Sequence, residues 1–177
     1  DHLVGLARDP VCYARLGTAI SRAQMAGEKG PPRTSLVELA GDDRARGHWV
    51  VLTGCRKGAV PRALVEQGPA AAQRELAHLV AAFGRENVAV ELWDHGDPLD
   101  SARNDGLAEL AVRTGVAVVA TNNVHYATPA RRRLATALAA VRARRSLDEI
   151  DGWLPAAAGA HLRSGDEQAR RFARSPG

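Results

Sequence analysis

The stretch from Val116 to Tyr126 reads V-A-V-V-A-T-N-N-V-H-Y, and it decides which fold class the sequence predicts. Its first half is a run of small and β-branched apolar residues, which is typical of a strand buried on both faces of a sheet. Its second half changes abruptly to polar side chains, which would follow the carboxyl end of that strand. Ligands and metals bind at the carboxyl ends of strands in open α/β sheets and in α/β barrels. The stretch therefore predicts a buried strand that leads into a site.

Three further segments have the same strand-like pattern, namely His2–Ala7, His48–Thr53 and Asn87–Trp93. Helical segments alternate with these strands, and each has one apolar face at the helical period. In chain order, the four faces are predicted to be Leu16, Ile20 and Ala23; Ala72, Leu76, Leu79, Val80 and Phe83; Leu107, Leu110 and Ala111; and Leu134, Leu138 and Val141. Strands that alternate with helices predict an α/β fold with parallel strands. Because four strands are few for a closed barrel, we expect only part of one.

The composition is that of an ordinary soluble domain, with 45% hydrophobic and 25% charged residues in a chain of 177. A net charge of +4 only mildly favours an anionic partner such as nucleic acid. Two cysteines in a chain of this length do not form a disulfide framework, and no apolar run reaches the length of a membrane span. We therefore expect a cytoplasmic protein without a membrane partner. Because the sequence starts at Asp1 and enters a strand directly, we expect it to be a piece of something longer.

Three consecutive strand ends carry side chains of the types that bind metals: Cys55, then Glu91, Asp94 and His95, then Asn123 and His125. Parallel neighbouring strands would bring these ends to one edge of the sheet. Each residue alone has a structural interpretation, because a lone cysteine is usually a small hydrophobic residue and asparagine is a common turn residue. Their convergence predicts a metal or phosphate pocket.

A strongly basic helix follows the last strand, with Arg131, Arg132 and Arg133 at its start and Arg142, Arg144 and Arg145 near its end. The simplest interpretation is a solvated face. The alternative is contact with a nucleic-acid backbone, which requires positive charge but no reading of bases.

Three motifs occur in the order T-G-C-R-K-G-A-V-P, V-E-L-W-D-H-G-D-P-L-D and A-T-N-N-V-H-Y-A-T-P-A-R-R-R. Together they resemble the PHP (polymerase and histidinol phosphatase) domain of bacterial C-family polymerases, and the sequence after the third motif is most like the error-prone branch. The resemblance implies a distorted, TIM-like α/β barrel with metals at the strand ends. The family's upstream histidine motifs are not in this stretch, so residues 1–160 would be the later part of the domain and residues 161–177 the start of the connection to the polymerase core.

The resemblance also implies roles for single residues. Cys55 and His125 match metal ligands, and Asn123 matches the aspartate of the family's D-x-H motif. An amide oxygen carries no charge and binds divalent cations less well than a carboxylate. A site for zinc, manganese or magnesium would therefore be degenerate. Glu91 and His95 match a segment beside the site and would act at its rim.

The implied function is that of an error-prone DNA-directed DNA polymerase, used in translesion synthesis, DNA repair and induced mutagenesis. Its partners would be DNA and other translesion or replication proteins. The polymerase aspartates would lie outside this chain, so the chain alone would have no polymerase or appreciable nuclease activity. Two alternatives remain open, a stand-alone PHP-type phosphoesterase acting on a small phosphate ester and an interaction module without chemistry.

Overall fold

The computed structural model describes residues 2–27, 32–41, 47–150, 154 and 158–173. Most of the predicted loops Gly27–Pro32 and Gly152–Ala160, and the end of the predicted connection 161–177, lie outside these residues. The described strands are β1 (Val4–Ala7), β2 (Trp49–Leu52), β3 (Val88–Trp93) and β4 (Ala117–Thr121). The described α-helices are α1 (Pro10–Ala26), α2 (Leu36–Ala40), α3 (Ala59–Gln67), α4 (Pro69–Phe83), α5 (Asp100–Thr114), α6 (Arg132–Ala143) and α7 (Gly165–Arg171).

The four described strands form one mostly parallel sheet in the order β1-β2-β3-β4, which confirms the predicted α/β class. Within the described residues this sheet does not close into a barrel. β2 and β3 are parallel, with Val51 opposite Val88. β1 departs from the predicted pattern because it is antiparallel to β2, with Ala7 opposite Trp49. The end of β1 therefore lies beside the start of β2. The segment that contains α1 and α2 connects two antiparallel strands and is not a crossover between parallel strands.

The strand that is buried on both faces is β3, not β4. All six residues of β3 are buried, as expected for a central strand of a largely parallel sheet. In β4 three of the five residues are exposed, and the exposed fraction of Val118 is 38%. The prediction of a doubly buried strand at 116–121 was therefore wrong. β4 stands at the end of the strand order, and an apolar sequence does not distinguish a central strand from an edge strand.

The chain divides into two compact units. The first unit contains residues 1–91 and 107–119, and the second contains residues 92–106 and 120–177. In the first unit α3 and α2 both contact α4. The predicted apolar faces of α4 and α5 are buried there, at Ala72, Leu76, Leu79, Phe83, Leu107, Leu110 and Ala111. These faces form the hydrophobic core of the first unit.

Two other predicted faces are less buried. On α1, Ile20 has an exposed fraction of 55%, so its assignment to the inner face was wrong. On α6, Leu134, Leu138 and Val141 do share one face, as predicted, but all three are exposed. Among the described helices, none has both the length and the apolar character needed to cross a membrane.

Replacing Leu76 by alanine tests the core of the first unit. Leu76 is fully buried in α4, so Leu76→Ala is expected to lower the free energy of unfolding by about 2–5 kcal/mol through lost burial and a residual cavity. Urea unfolding followed by circular dichroism measures the change. The matched control is Leu138→Ala on exposed α6, for which we expect a change within about 0.5 kcal/mol. Equal effects of the two substitutions would contradict this description of the core.

Candidate functional site

The predicted site residues fall into two groups that belong to different units. Cys55 and Glu91 lie in the first unit, whereas His95, Asn123 and His125 lie in the second. We describe each group within its own unit.

Cys55 lies in a tight turn that follows β2. Gly54 has a φ of +81°, in the left-handed region, and a Cβ atom there would lie 2.7 Å from the backbone oxygen of His2. The backbone N–H of Gly58 donates to the Cys55 carbonyl at 2.7 Å and closes the turn. Glycine is therefore required at position 54 both for the backbone conformation and for the close approach of the preceding chain.

The turn places Cys55 beside His2, a residue that the sequence analysis did not single out. The Sγ atom of Cys55 is 3.7 Å from Nδ1 of His2. Thiolate and imidazole are the preferred ligands of zinc in proteins. The pairing depends on the antiparallel orientation of β1, which brings the start of β1 to the carboxyl end of β2. Parallel strands, as the sequence predicted, would put the start of β1 at the other end of β2, so this pairing was not expected.

Glu91 lies within the buried part of β3 and is 5% exposed. Its backbone N–H donates to the hydroxyl of Thr53 at 2.9 Å, and the backbone N–H of Thr53 donates to the carbonyl of Ala89 at 3.1 Å. Thr53 thus continues the pairing of β2 with β3 beyond the end of β2. These contacts hold the backbone at Glu91 in place in the first unit.

In the second unit, the carboxylate of Asp100 organises the D-H-G-D turn after β3. Its Oδ2 atom accepts the backbone N–H of His95 at 2.9 Å and that of Asp97 at 3.0 Å. Asp100 also pairs with Arg103, whose guanidinium lies 4.5 Å from the centre of the Trp93 ring. Asp100 is only 3% exposed, and a buried carboxylate is destabilising unless hydrogen-bond donors compensate its charge. The two backbone N–H groups and Arg103 provide that compensation. The turn is a defined structure rather than a solvated loop.

The His95 side chain is buried and hydrogen-bonded. Its Nε2–H donates to the backbone carbonyl of Asn122 at 2.6 Å, which assigns the proton of the neutral ring to Nε2. Burial lowers the pKa of His95 below its ordinary value, and the nearby Arg163 adds to that lowering. The ring therefore stays neutral at pH 7, and Nε2 is occupied by a hydrogen bond. The His125 ring stands edge-on to it, with 6.4 Å between the ring centroids.

Segment 158–163 pairs with the polar stretch after β4. The Asn122 side-chain amide donates to the Gly159 carbonyl at 3.0 Å, and the backbone N–H of His125 donates to the Ala160 carbonyl at 2.9 Å. The polar side chain of Asn122 therefore satisfies backbone acceptors of a neighbouring segment. Such a use is structural, since a buried carbonyl without a partner would be destabilising.

Arg163 is the residue that joins this segment to the turn after β3. Its side chain is 1% exposed, and it donates to the carbonyls of Asp94 at 2.9 Å and of Gly159 at 2.7 Å. Burial lowers the pKa of Arg163, but a guanidinium stays charged at neutral pH. A Cβ atom on Gly159 would collide with the backbone oxygen of His95 and approach Arg163 to 2.8 Å. No sequence pattern marks Arg163 as buried, so its role could not be recognised from the sequence.

Asn123 adopts a left-handed backbone conformation, with a φ of +39°. Asparagine and aspartate tolerate this region better than other residues with a side chain. Asn123 is half-buried, and His125 is exposed. An aspartate at position 123 would therefore fit the backbone, so the asparagine is a difference of charge rather than of shape.

The described residues do not supply a complete set of metal ligands. Nowhere in the described ranges do three or more His, Cys, Asp or Glu side chains come together as a potential cation site. In the first unit, Cys55 and His2 form a pair with the chemistry of zinc ligands. In the second unit, Nε2 of His95 is occupied by a hydrogen bond and Asn123 offers only a neutral amide. These residues do not fit the divalent metal that the sequence resemblance implies.

The predicted nucleic-acid contacts, Arg131, Arg132 and Arg133, lie at the start of α6 and are exposed. Arg144 ends this helix in a left-handed conformation with a φ of +54°. Exposed arginines are available to phosphates, so contact with DNA stays a prediction.

A largely parallel sheet with polar groups at its strand ends defines an α/β domain of the type in which sites form at those ends. The family model of the PHP domain matches residues 1–95, which is more than half of the chain. The chain belongs to the PHP domain family.

Several relatives are similar over nearly the whole chain. An error-prone DNA polymerase of Mycobacterium bovis is 55% identical over 176 residues, which cover 99% of this chain and 16% of the relative. A protein of the same name from Cutibacterium acnes is 53% identical over 98% of this chain and 15% of its own length. One from Nocardia farcinica is 50% identical over 99% of this chain and 16% of its own length. The chain therefore spans only about 16% of the length of these relatives.

Substitution of His95 tests its buried, neutral state. The unfolded chain binds a proton near the ordinary histidine pKa of 6.5, whereas the folded chain binds it only at lower pH. The contribution of His95 to stability is therefore complete above pH 6.5 and is lost as the pH falls towards the lowered pKa of the folded chain. We expect His95→Gln, which keeps a donor for Asn122, to show a smaller loss of stability between neutral and mildly acidic pH.

Urea unfolding midpoints over a pH series measure this effect. His78→Gln is the matched control, because it makes the same substitution at a side chain that is 66% exposed. Equal pH dependence of the unmodified chain and His95→Gln would contradict the prediction.

Proposed function

We propose that this chain is the PHP-domain portion of an error-prone DNA-directed DNA polymerase, a nucleotidyltransferase of the cytoplasm. The observation that carries the proposal is the 55% identity over 99% of the chain to relatives of that name. Residues 1–160 would be the PHP portion, and residues 161–177 would begin the connection to the polymerase core. The whole protein would act in translesion synthesis, DNA repair and induced mutagenesis.

Within that polymerase, the PHP portion would act mainly as structural support. The polar side chains after β3 and β4 are engaged with backbone groups, as in the contacts of His95 with Asn122 and of Arg163 with Asp94. Groups that hold backbone segments together are less available to bind metal or substrate. The amide of Asn123 also removes a negative charge where a divalent cation would need one. We infer a degenerate phosphoesterase or exonuclease site.

The whole protein would bind DNA, and translesion or replication proteins would be its further partners. The exposed arginines at the start of α6 would contribute to DNA binding through phosphate contacts, which are independent of base sequence. The alternative is a stand-alone phosphoesterase for a small phosphate ester, whereas the relatives reported above all have the name error-prone DNA polymerase. The polymerase assignment is therefore preferred.

The polymerase assignment is tested by primer extension on a DNA template that carries a lesion. The full-length protein that contains this chain is expected to add deoxynucleotides across the lesion, whereas residues 1–177 alone should add none. An undamaged template of the same sequence is the control. A full-length protein that extends neither template would contradict the assignment.

The degenerate site is tested by elemental analysis and an exonuclease assay of the full-length protein, with and without Asn123→Asp. We expect the unmodified protein to hold less than one divalent metal ion per chain and to show no appreciable exonuclease activity. Asn123→Asp should raise the metal content, because it adds a carboxylate that the positive φ accommodates. Gln73→Glu, which also converts an amide to a carboxylate but at an exposed position of α4, controls for the added charge alone. Stoichiometric metal with exonuclease activity in the unmodified protein would overturn this part of the proposal.

A further inference from the structure

A cavity of about 520 Å³ opens in the first unit beside α1 and α2. Its lining includes Arg15, Thr18, Arg22, Arg33, Thr34 and Trp49. Trp49 begins β2, whereas Cys55 follows the carboxyl end of the same strand. A strand of four residues spans about 13 Å, so the cavity and the strand-end residues lie at opposite ends of β2. The cavity is therefore distinct from the candidate site described above.

One wall of the cavity is a face of α1. Arg15 and Arg22 are seven positions apart, which places both guanidinium side chains on the same side of the helix, two turns from each other. Ala19 and Ala26 lie on the same face and leave room because their side chains are small. The N-cap of Asp9, whose side chain accepts the backbone N–H of Cys12 at 2.7 Å, fixes the start of this helix.

α2 and the residues before it also line the cavity. Ser35 and Glu38 form a capping box, in which Oε2 of Glu38 accepts the backbone N–H of Ser35 at 2.7 Å. These hydrogen bonds lower the pKa of Glu38 and hold its carboxylate at the start of α2. The backbone N–H of Arg33 donates to the Ala23 carbonyl at 3.0 Å, which ties this wall to α1.

Trp49 forms an apolar floor. It is 6% exposed, and its indole N–H donates to the backbone carbonyl of Cys12 at 3.1 Å. The ring is therefore fixed by both burial and a hydrogen bond, so the floor of the cavity does not depend on a ligand for its shape.

The charge of the lining favours an anion. The described lining residues include three arginines and one glutamate, so their net charge is +2, and the backbone N–H of Ser35 donates to that glutamate. Arginine is the side chain best suited to phosphate oxygens, because its planar guanidinium donates two parallel hydrogen bonds. The volume also falls within the range of roughly 300–1,000 Å³ that is typical of small-molecule sites.

We propose that this cavity binds the phosphate groups of a nucleotide-sized phosphate ester, with Arg15, Arg22 and Arg33 as the recognition residues. A free nucleotide and a single DNA strand present the same phosphate chemistry, and the experiment distinguishes between them. The site goes beyond the proposed polymerase function and does not depend on it, because it rests on the cavity and its charges alone.

Amide hydrogen exchange on the full-length protein tests the site locally. The probes are dADP and a single-stranded oligodeoxythymidylate, each added at millimolar nucleotide concentration in the presence of EDTA, so that no divalent metal assists binding. We expect slower exchange in residues 15–26 and 33–41. Protection by dADP assigns a free nucleotide as the ligand, and protection by the oligonucleotide alone assigns a DNA strand.

In the double variant Arg22→Glu/Arg33→Glu, the affinity of the protecting probe should fall at least about tenfold, because two charge-assisted contacts with phosphate become repulsive. Arg74→Glu/Arg113→Glu is the matched control, since it makes the same change of charge at two exposed helix positions of the same unit. Equal thermal unfolding of the two variants shows that the fold is retained. The proposal would be overturned if neither probe slowed exchange in these residues, or if the protection persisted in Arg22→Glu/Arg33→Glu.

Discussion

The burial of β3 on both faces is the constraint on which the sheet depends. Each fully buried valine or leucine contributes roughly 1.5–3 kcal/mol relative to an exposed position, and Val88, Val90 and Leu92 are all buried in this strand. A strand that no longer reaches solvent must place its backbone groups on its neighbours, and the bond from Glu91 to the Thr53 hydroxyl continues that pairing beyond β2. Because all six residues of β3 are buried, the polar turn starts only after Trp93, where the strand ends.

At the end of β3 the chain changes from apolar to polar packing. Asp100 accepts two backbone N–H groups of the turn, and in the same unit Arg163 donates to two carbonyls. Buried charges are tolerated when several hydrogen bonds surround them, and both residues meet that condition. The position that favours catalysis in other α/β domains is here occupied by groups that hold the backbone. This use of the polar residues is the observation behind the supporting role that we propose for the domain.

The sequence predicts the parts of the structure that depend on local periodicity. β3 was recognised because its sequence is a nearly continuous apolar run, and the buried face of α4 was recognised because its apolar residues have the helical period. The antiparallel pairing of β1 could not be predicted, because strand direction depends on contacts between distant segments. The same limit explains why His2 was missed beside Cys55 and why Arg163 was missed altogether. The neutral amide at Asn123 was visible in the sequence, whereas its positive φ required the structure.

The position of β4 has a consequence for how the chain behaves outside its natural setting. β4 is apolar in sequence, partly exposed, and last in the strand order of the part of the chain that the structure describes. An apolar strand at the edge of a sheet is a template for the addition of another strand, including one from a second copy of the same chain. Whether this chain associates with further copies of itself therefore depends more on what covers the edge of β4 than on its net charge of +4.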